Sequence, residues 1–449
     1  MQHDQWGHRL TTPSPEAAAA MDRAIGSYVG WRTDVMDHIG AASAADPDFA
    51  LPHAAKGILM LGLRKPELKP KAEALLEKAR GARPPETERE RRYIAALEAA
   101  IGGHVTAAAS QYEAIAREAP HDLFALRLAQ FELFWIGEVA WMRDISERAA
   151  PHWSADVPGY AAYLSIRAFG LEETGAYLSA ETCGREAVAR DPADCWGAHA
   201  VAHVLVMQAR LRDGIDWMQG LTGNWDQANH IRHHNWWHLA LFHVEKRDYE
   251  AALEIYDGRL RDLDSPLMQA VPDFYVDIQN DVALLERLEL RGVPVGERWG
   301  PVGELAAPRI GNHESPFTSA HCALALAAAG REAEAEALIR EMRGFIAENR
   351  CALAPRYALA ALPASEAALA HRRGEHQRVI DVLFPARRNL WQMGGSHAQR
   401  DLFFQLLADS AVRLGRRDVL ATLFDDFETV GLEHAAERSS YADAMAALQ

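Results

Sequence analysis

The chain has 449 residues, 49% apolar and 24% charged, proportions that suit a globular protein with a large core and exclude a chain disordered throughout. Lys and Arg number 47 against 63 Asp and Glu, so the net charge of −16 repels phosphate backbones and anionic lipid and argues against nucleic acid or a membrane as partner. Four cysteines without a CxxC pair exclude a disulfide framework and a thiolate zinc knuckle.

From the start, residues 1–50 read as an N-terminal helical cap with a frayed beginning. They lack a basic segment followed by an unbroken apolar run, and no window approaches the ~18 uncharged apolar residues of a membrane span, so a cytoplasmic chain is expected. Over residues 51–290 apolar side chains recur at three- and four-residue spacings, as at Leu75, Leu76 and Ala79. Breaks fall near Gly103, Gly137, Gly175, Ala209, Arg247, Gly330, Gly374 and Gly415, mostly 34 to 44 residues apart, with one longer gap between Arg247 and Gly330. Pro120, Pro151 and Pro192 stop second helices, as a residue without an N–H should. This pattern predicts an all-α fold of tetratricopeptide-type helix–turn–helix repeats, stacked as an α-solenoid that can close around a central pocket. Residues 291–316 are dense in Gly, Pro and Asn and read as an irregular loop or lid. Residues 317–449 read as C-terminal helical repeats.

The chemistry-bearing residues concentrate between Cys195 and Asp257, where seven histidines and five tryptophans occur. His199 and His203 are four apart, as are His234 and His238, so each pair shares a helix face. With Ala209 and Arg247 as turn positions, Trp196, His199, His203, His234 and Trp237 point into one concave groove. His238 lies at its edge, and Trp236, Leu239, Ala240 and His243 fall on the helix-packing face. Three readings follow. The histidines are hydrogen-bonded core residues; or His199, His203, His234 and His238 act as acid/base or anchoring groups; or His199, His203 and His234 bind zinc or iron with an open coordination position. No HExxH is present.

Weaker candidates lie further along. Asp277, Asn280 and Asp281 in DIQND fit a solvated helix face, with Asp277 retained as a ligand-binding candidate. His321 occupies nearly the unit position of His238. In GGSHAQRDLF, Gly394 and Gly395 permit tight geometry; Ser396 reads first as an ordinary N-cap, or as the cap of a helix that attracts an anion to which Arg400 adds a charged fork. No GxSxG elbow, GxGxxG fingerprint or P-loop occurs.

HAVAHVLVMQARLRDGIDWM, HHNWWHLALFHVEKRDYEAALEIYD, DIQNDVALLERLELRGV and GGSHAQRDLF resemble bacterial members of the tetratricopeptide repeat protein 38 family, from about Asp46 to about Phe427. The resemblance implies an all-helical repeat solenoid but supplies no activity or cofactor. Its signature positions are polar: His199, His203, His234, Asn235, Trp237, His238, His321, Ser396, Gln399 and Arg400. Ala209 departs from the Gly that such units prefer. Together these features lead to a repeat protein whose His/Trp-lined pocket binds a small molecule, with histidine as acid/base. The alternatives are a scaffold holding a peptide or partner helix in its groove and a His-ligated metalloenzyme. Nothing in the sequence fixes the oligomeric state.

Overall fold

The computed structural model describes residues 1–427, 429, 432 and 434–449, so four positions of the C-terminal region 317–449 lie outside the described residues. It is 74% helical and all-α, with one two-stranded antiparallel sheet among the described residues. None of the described helices is long and apolar enough to cross a membrane. None of the four cysteines is in a disulfide among the described residues, and Cys183, Cys195 and Cys322 are buried while Cys351 is partly covered.

The chain divides into two compact units. The first comprises Met1–Phe134, Glu138–Val201 and Gly223–Ile231. Its start is tied down rather than frayed: Gln2–His3 pairs with Arg9–Leu10, and the Thr11 backbone N–H donates to Glu90 Oε1 at 2.9 Å. The sequence hides this because two-residue strands leave no periodic signal. Buried ion pairing supports the same region, with Arg89 Nε 2.5 Å from Asp122 Oδ2 and the Tyr93 hydroxyl donating to Asp122 Oδ1 at 2.7 Å. Successive helices then pack on one another through Tyr177–Arg190, and Leu123–Phe134 is buried on nearly every side.

The second unit comprises Trp135–Gly137, Ala202–Thr222 and Arg232–Gln449. Its central helix, Tyr275–Glu289, is buried from Asp277 to Leu288 and packs on Pro316–Ala328 and His397–Arg413. The sequence reading of residues 291–316 as an irregular loop or lid is corrected here. They contain the helix Trp299–Ala306, flanked by the single turns Gly296–Arg298 and Ala307–Arg309. Trp299 anchors it, donating from Nε1 to Glu289 Oε2 at 2.9 Å beneath the Arg372 guanidinium.

One helix ending recurs in both units. At Gly103, Gly175, Ala209, Arg247, Gly330, Gly374 and Gly415 the backbone has positive φ. There the residue's N–H bonds back three positions and the next N–H bonds back five, as at Ala209 (3.1 Å) and Arg210 (2.8 Å). A left-handed residue closes the helix by these two bonds and turns the chain back. Gly292 makes the same pair of bonds, to Glu289 and from Val293 to Leu288, so the long interval between Arg247 and Gly330 holds a further hairpin.

Candidate metal centre

Three imidazoles converge inside the second unit. His203 comes from the helix Cys195–Met207, of which residues from Ala202 onward belong to this unit. His234 and His238 come from one face of Ile231–Glu245. His203 and His238 have ring centroids 4.5 Å apart, and His234 and His238 4.8 Å apart. Each can present a ligand atom such that all three lie within 4.8 Å of one another. His203 and His238 are 0% exposed and His234 5%. Trp237 stacks on His234 at 5.1 Å and meets His238 edge-on at 4.8 Å. His238 is therefore an interior member of the group and not, as the repeat numbering placed it, an edge residue. A helix side chain covered by three neighbours has no edge to occupy.

The third wall is the Tyr275–Glu289 helix. His234 Nδ1 donates to Asn280 Oδ1 at 2.7 Å, which leaves the His234 Nε2 lone pair directed away from that bond. His233 Nδ1 lies 3.2 Å from both oxygens of Asp277. Asp281 sits 3.3 Å from Arg261. Asp277, Asn280 and Asp281 are all buried, which overturns the expectation of a solvated face. Asp277 faces His233, Asn280 Oδ1 accepts from His234 and Asp281 faces Arg261 inside the unit, and amphipathic patterning alone cannot distinguish that from exposure to water. Asn280 is the site residue that sequence reasoning did not put to use. Its signal was there, a polar residue within the DIQND run.

Burial dominates the electrostatics. It pushes His234 down to about 4 against the opposing pull of its Asn280 hydrogen bond, with the neighbouring His203 lowering it further. Burial also carries His238 well below the usual imidazole range, with His203, His234 and Arg287 adding to the shift. A neutral imidazole is the form that ligates metal. On the two residues that touch His234, Trp237 Nε1 and Asn280 Nδ2 are buried donors with no hydrogen-bond partner among the described residues. Such atoms in a native interior call for a water or ligand.

The remaining candidates fall elsewhere. Trp196 and His199 belong to the first unit and stack on each other at 4.5 Å, with Phe169 5.3 Å from His199. Asn235 is fully buried on the Ile231–Glu245 helix, whereas Trp236, expected on the packing face, is only partly covered, with Arg259 over its ring. His321 donates from Nδ1 to its own helix at Phe317 O, 2.9 Å away, and packs against Phe317 and Phe403. Burial lowers it to about 4. Ser396 and Gln399 form a reciprocal cap at the start of His397–Arg413, so the backbone donors read as an anion site are engaged by side chains. Arg400 closes back on Gly395 O, where Gly394 and Gly395 have φ of +81° and +76°. A Cβ at Gly394 would stand 2.4 Å from Trp135 O, so only glycine fits there.

The chain matches no family model.

Proposed function

We propose that this protein binds a divalent first-row transition metal, zinc or iron, through His203, His234 and His238, with a coordination position left for a small-molecule ligand. One observation carries the reading: three buried imidazoles whose ligand atoms lie within 4.8 Å of one another, with the other nitrogen of His234 already held by Asn280. Metal-ligating histidines characteristically give their second N–H to such an acceptor. A tetrahedral site with metal–nitrogen bonds of about 2.0–2.1 Å requires nitrogens roughly 3.4 Å apart, so small side-chain rotations complete it. Bound there, such an ion would supply Lewis acidity or an activated water.

Acid/base work without metal is less well supported. A general base functions best with a pKa near the operating pH, and burial holds His234 at about 4. Around this centre we propose a tetratricopeptide-type solenoid of the tetratricopeptide repeat protein 38 family. Support comes from one left-handed helix ending recurring every 34 to 45 residues from Gly175 to Gly415, at or somewhat above the 34 residues of that repeat. Cysteines without disulfides among the described residues fit a reducing compartment, and the cytoplasm is the proposed location.

Elemental mass spectrometry of protein purified without a His tag tests this. We expect near-stoichiometric zinc or iron, lost in His203→Ala and His238→Ala while the helical circular dichroism is retained. His199→Ala run in parallel reports whether that residue contributes. A wild-type chain that holds no metal after incubation with zinc or ferrous ion rejects the centre.

A further inference from the structure

The first unit contains a buried arginine that its own side chains leave half used. Arg127, on the helix Leu123–Phe134, is 0% exposed. Its Nη1 donates to Gln130 Oε1 at 3.0 Å. Nε and Nη2 have no hydrogen-bond partner among the described residues. Those two nitrogens are the side-on pair of the guanidinium, the fork that grips a carboxylate or phosphate with two parallel hydrogen bonds.

Aromatic rings surround this fork. The guanidinium carbon lies 5.5 Å from the Trp31 ring centroid, 5.8 Å from Phe131 and 5.1 Å from Trp196. Trp31 and Trp196 stack at 4.9 Å, and Phe131 meets both edge-on. The box is braced from behind. Gln130 Oε1 accepts from both Arg127 and Trp196 Nε1, while its amide donates to Ile166 O at 2.7 Å. Trp31 is held at φ +57°, a left-handed conformation costly for a bulky residue, and strain of that kind gathers at ligand clamps. Trp31 and Phe131 are only partly covered, whereas Arg127 and Trp196 are buried.

A buried charge without a partner is strongly unfavourable, and the protein offers little to answer it. The acidic group acting on Arg127 is Asp194, but its Oδ1 is occupied capping the next helix at the Trp196 and Gly197 N–H groups. Its Oδ2 has no hydrogen-bond partner among the described residues. Burial brings Arg127 down to about 10, which leaves it fully charged at neutral pH.

We propose that Arg127 is the anchor of a second, anion-binding site, taking the carboxylate or phosphate group of a small molecule on its Nε/Nη2 fork inside the box of Trp31, Phe131 and Trp196. This goes beyond the metal reading and shares no residue with it.

The test titrates the full-length protein with acetate, and separately with inorganic phosphate, against chloride at matched ionic strength. Tryptophan fluorescence and Tm are recorded. We expect a saturable fluorescence change and a rise in Tm with at least one oxyanion and none with chloride. The oxyanion that responds identifies the source. Arg127→Met, which keeps the volume but removes the fork, is expected to abolish the response, and to unfold no more readily than wild type because an unpaired buried charge is gone. If that variant fails to fold, Arg127→Lys decides, with an expected weakening of about tenfold from loss of the fork. No saturable response in the wild-type chain overturns the proposal however the variants behave. An undiminished response in a folded variant overturns it equally.

Discussion

In the proposed metal centre His234 uses its two ring nitrogens differently, Nδ1 fixed on Asn280 and Nε2 offered to the ion. This gives a prediction that removes no ligand. Asn280→Ala should weaken metal affinity by about 10- to 100-fold, since outer-shell acceptors orient the ring and raise its basicity. Asn280→Asp should retain affinity or strengthen it. Competition against a chromophoric chelator measures both, and equal affinities in all three proteins would remove Asn280 from the centre. The histidines themselves were legible in the sequence, because their four-residue spacings stand out in an alanine-rich chain. The burial of Asp277, Asn280 and Asp281 was not, because a helix covered on all sides by other helices has no outward face for polarity to mark. Arg127 went unread for a similar reason. An arginine amid LFALRLAQF carries no sign that it will be sealed in aromatic rings.

At the scale of elements, the helix ending that recurs from Gly103 to Gly415 rests on one left-handed residue each time. At Ala209 (φ +54°) and Arg247 (φ +61°) that residue carries a side chain. A non-glycine residue there costs about 1–2 kcal/mol, while glycine loses about 0.5–1 kcal/mol more backbone entropy. Ala209→Gly and Arg247→Gly should therefore each stabilise by about 0.5–1 kcal/mol, read as a higher urea midpoint at unchanged slope. A lower midpoint in both would show that the turn is set by packing and not by φ. The breaks were readable because Gly and basic residues punctuate a helical pattern. The extra hairpin at Gly292 was missed because Pro294 and Gly296 follow closely, and their density looked like a loop. A proline just beyond a helix end is instead part of how a helix stops.

At the scale of the whole molecule, each unit buries a carboxylate that its surroundings make hard to ionise. Burial raises Asp194 to about 6, with backbone hydrogen bonding and Arg127 opposing. Burial raises Asp281 to about 7, despite Arg261, with Asp277 adding to the rise and the Tyr256 phenol beside it. Both groups bind their proton more tightly folded than unfolded. Their cost is absent below the unfolded value of 3.8, grows as pH rises through 6 and 7, and is complete above that. The stability of Asp281→Asn relative to wild type should accordingly improve between pH 5 and pH 8. The buried Arg261 charge that loses its carboxylate in that variant adds only a constant, because arginine does not titrate there. Denaturation at the two pH values tests the sign, and a difference that does not change with pH would place Asp281 ionised throughout. Fold class was the most legible property at this scale, since helical periodicity fills the chain. The division into two units was not, because it follows contacts between segments distant in sequence.

That division has a consequence for how the chain is made. Trp135–Gly137 belongs to the second unit although first-unit sequence flanks it on both sides, and Gly223–Ile231 returns to the first after it has been left. Trp135 packs against Tyr275 and Phe317 and lies over Gly394. A ribosome delivers these residues in one direction, so the first unit stays incomplete until Ile231 has emerged. Trp135 meanwhile waits, uncovered, until Tyr275, Phe317 and Gly394 have followed it out. Neither unit is a cassette that can be cut out at one boundary, and nascent chains carry an unburied tryptophan through most of their synthesis. The order of the segments thereby leaves Trp135 without its native contacts until Gly394 has been made.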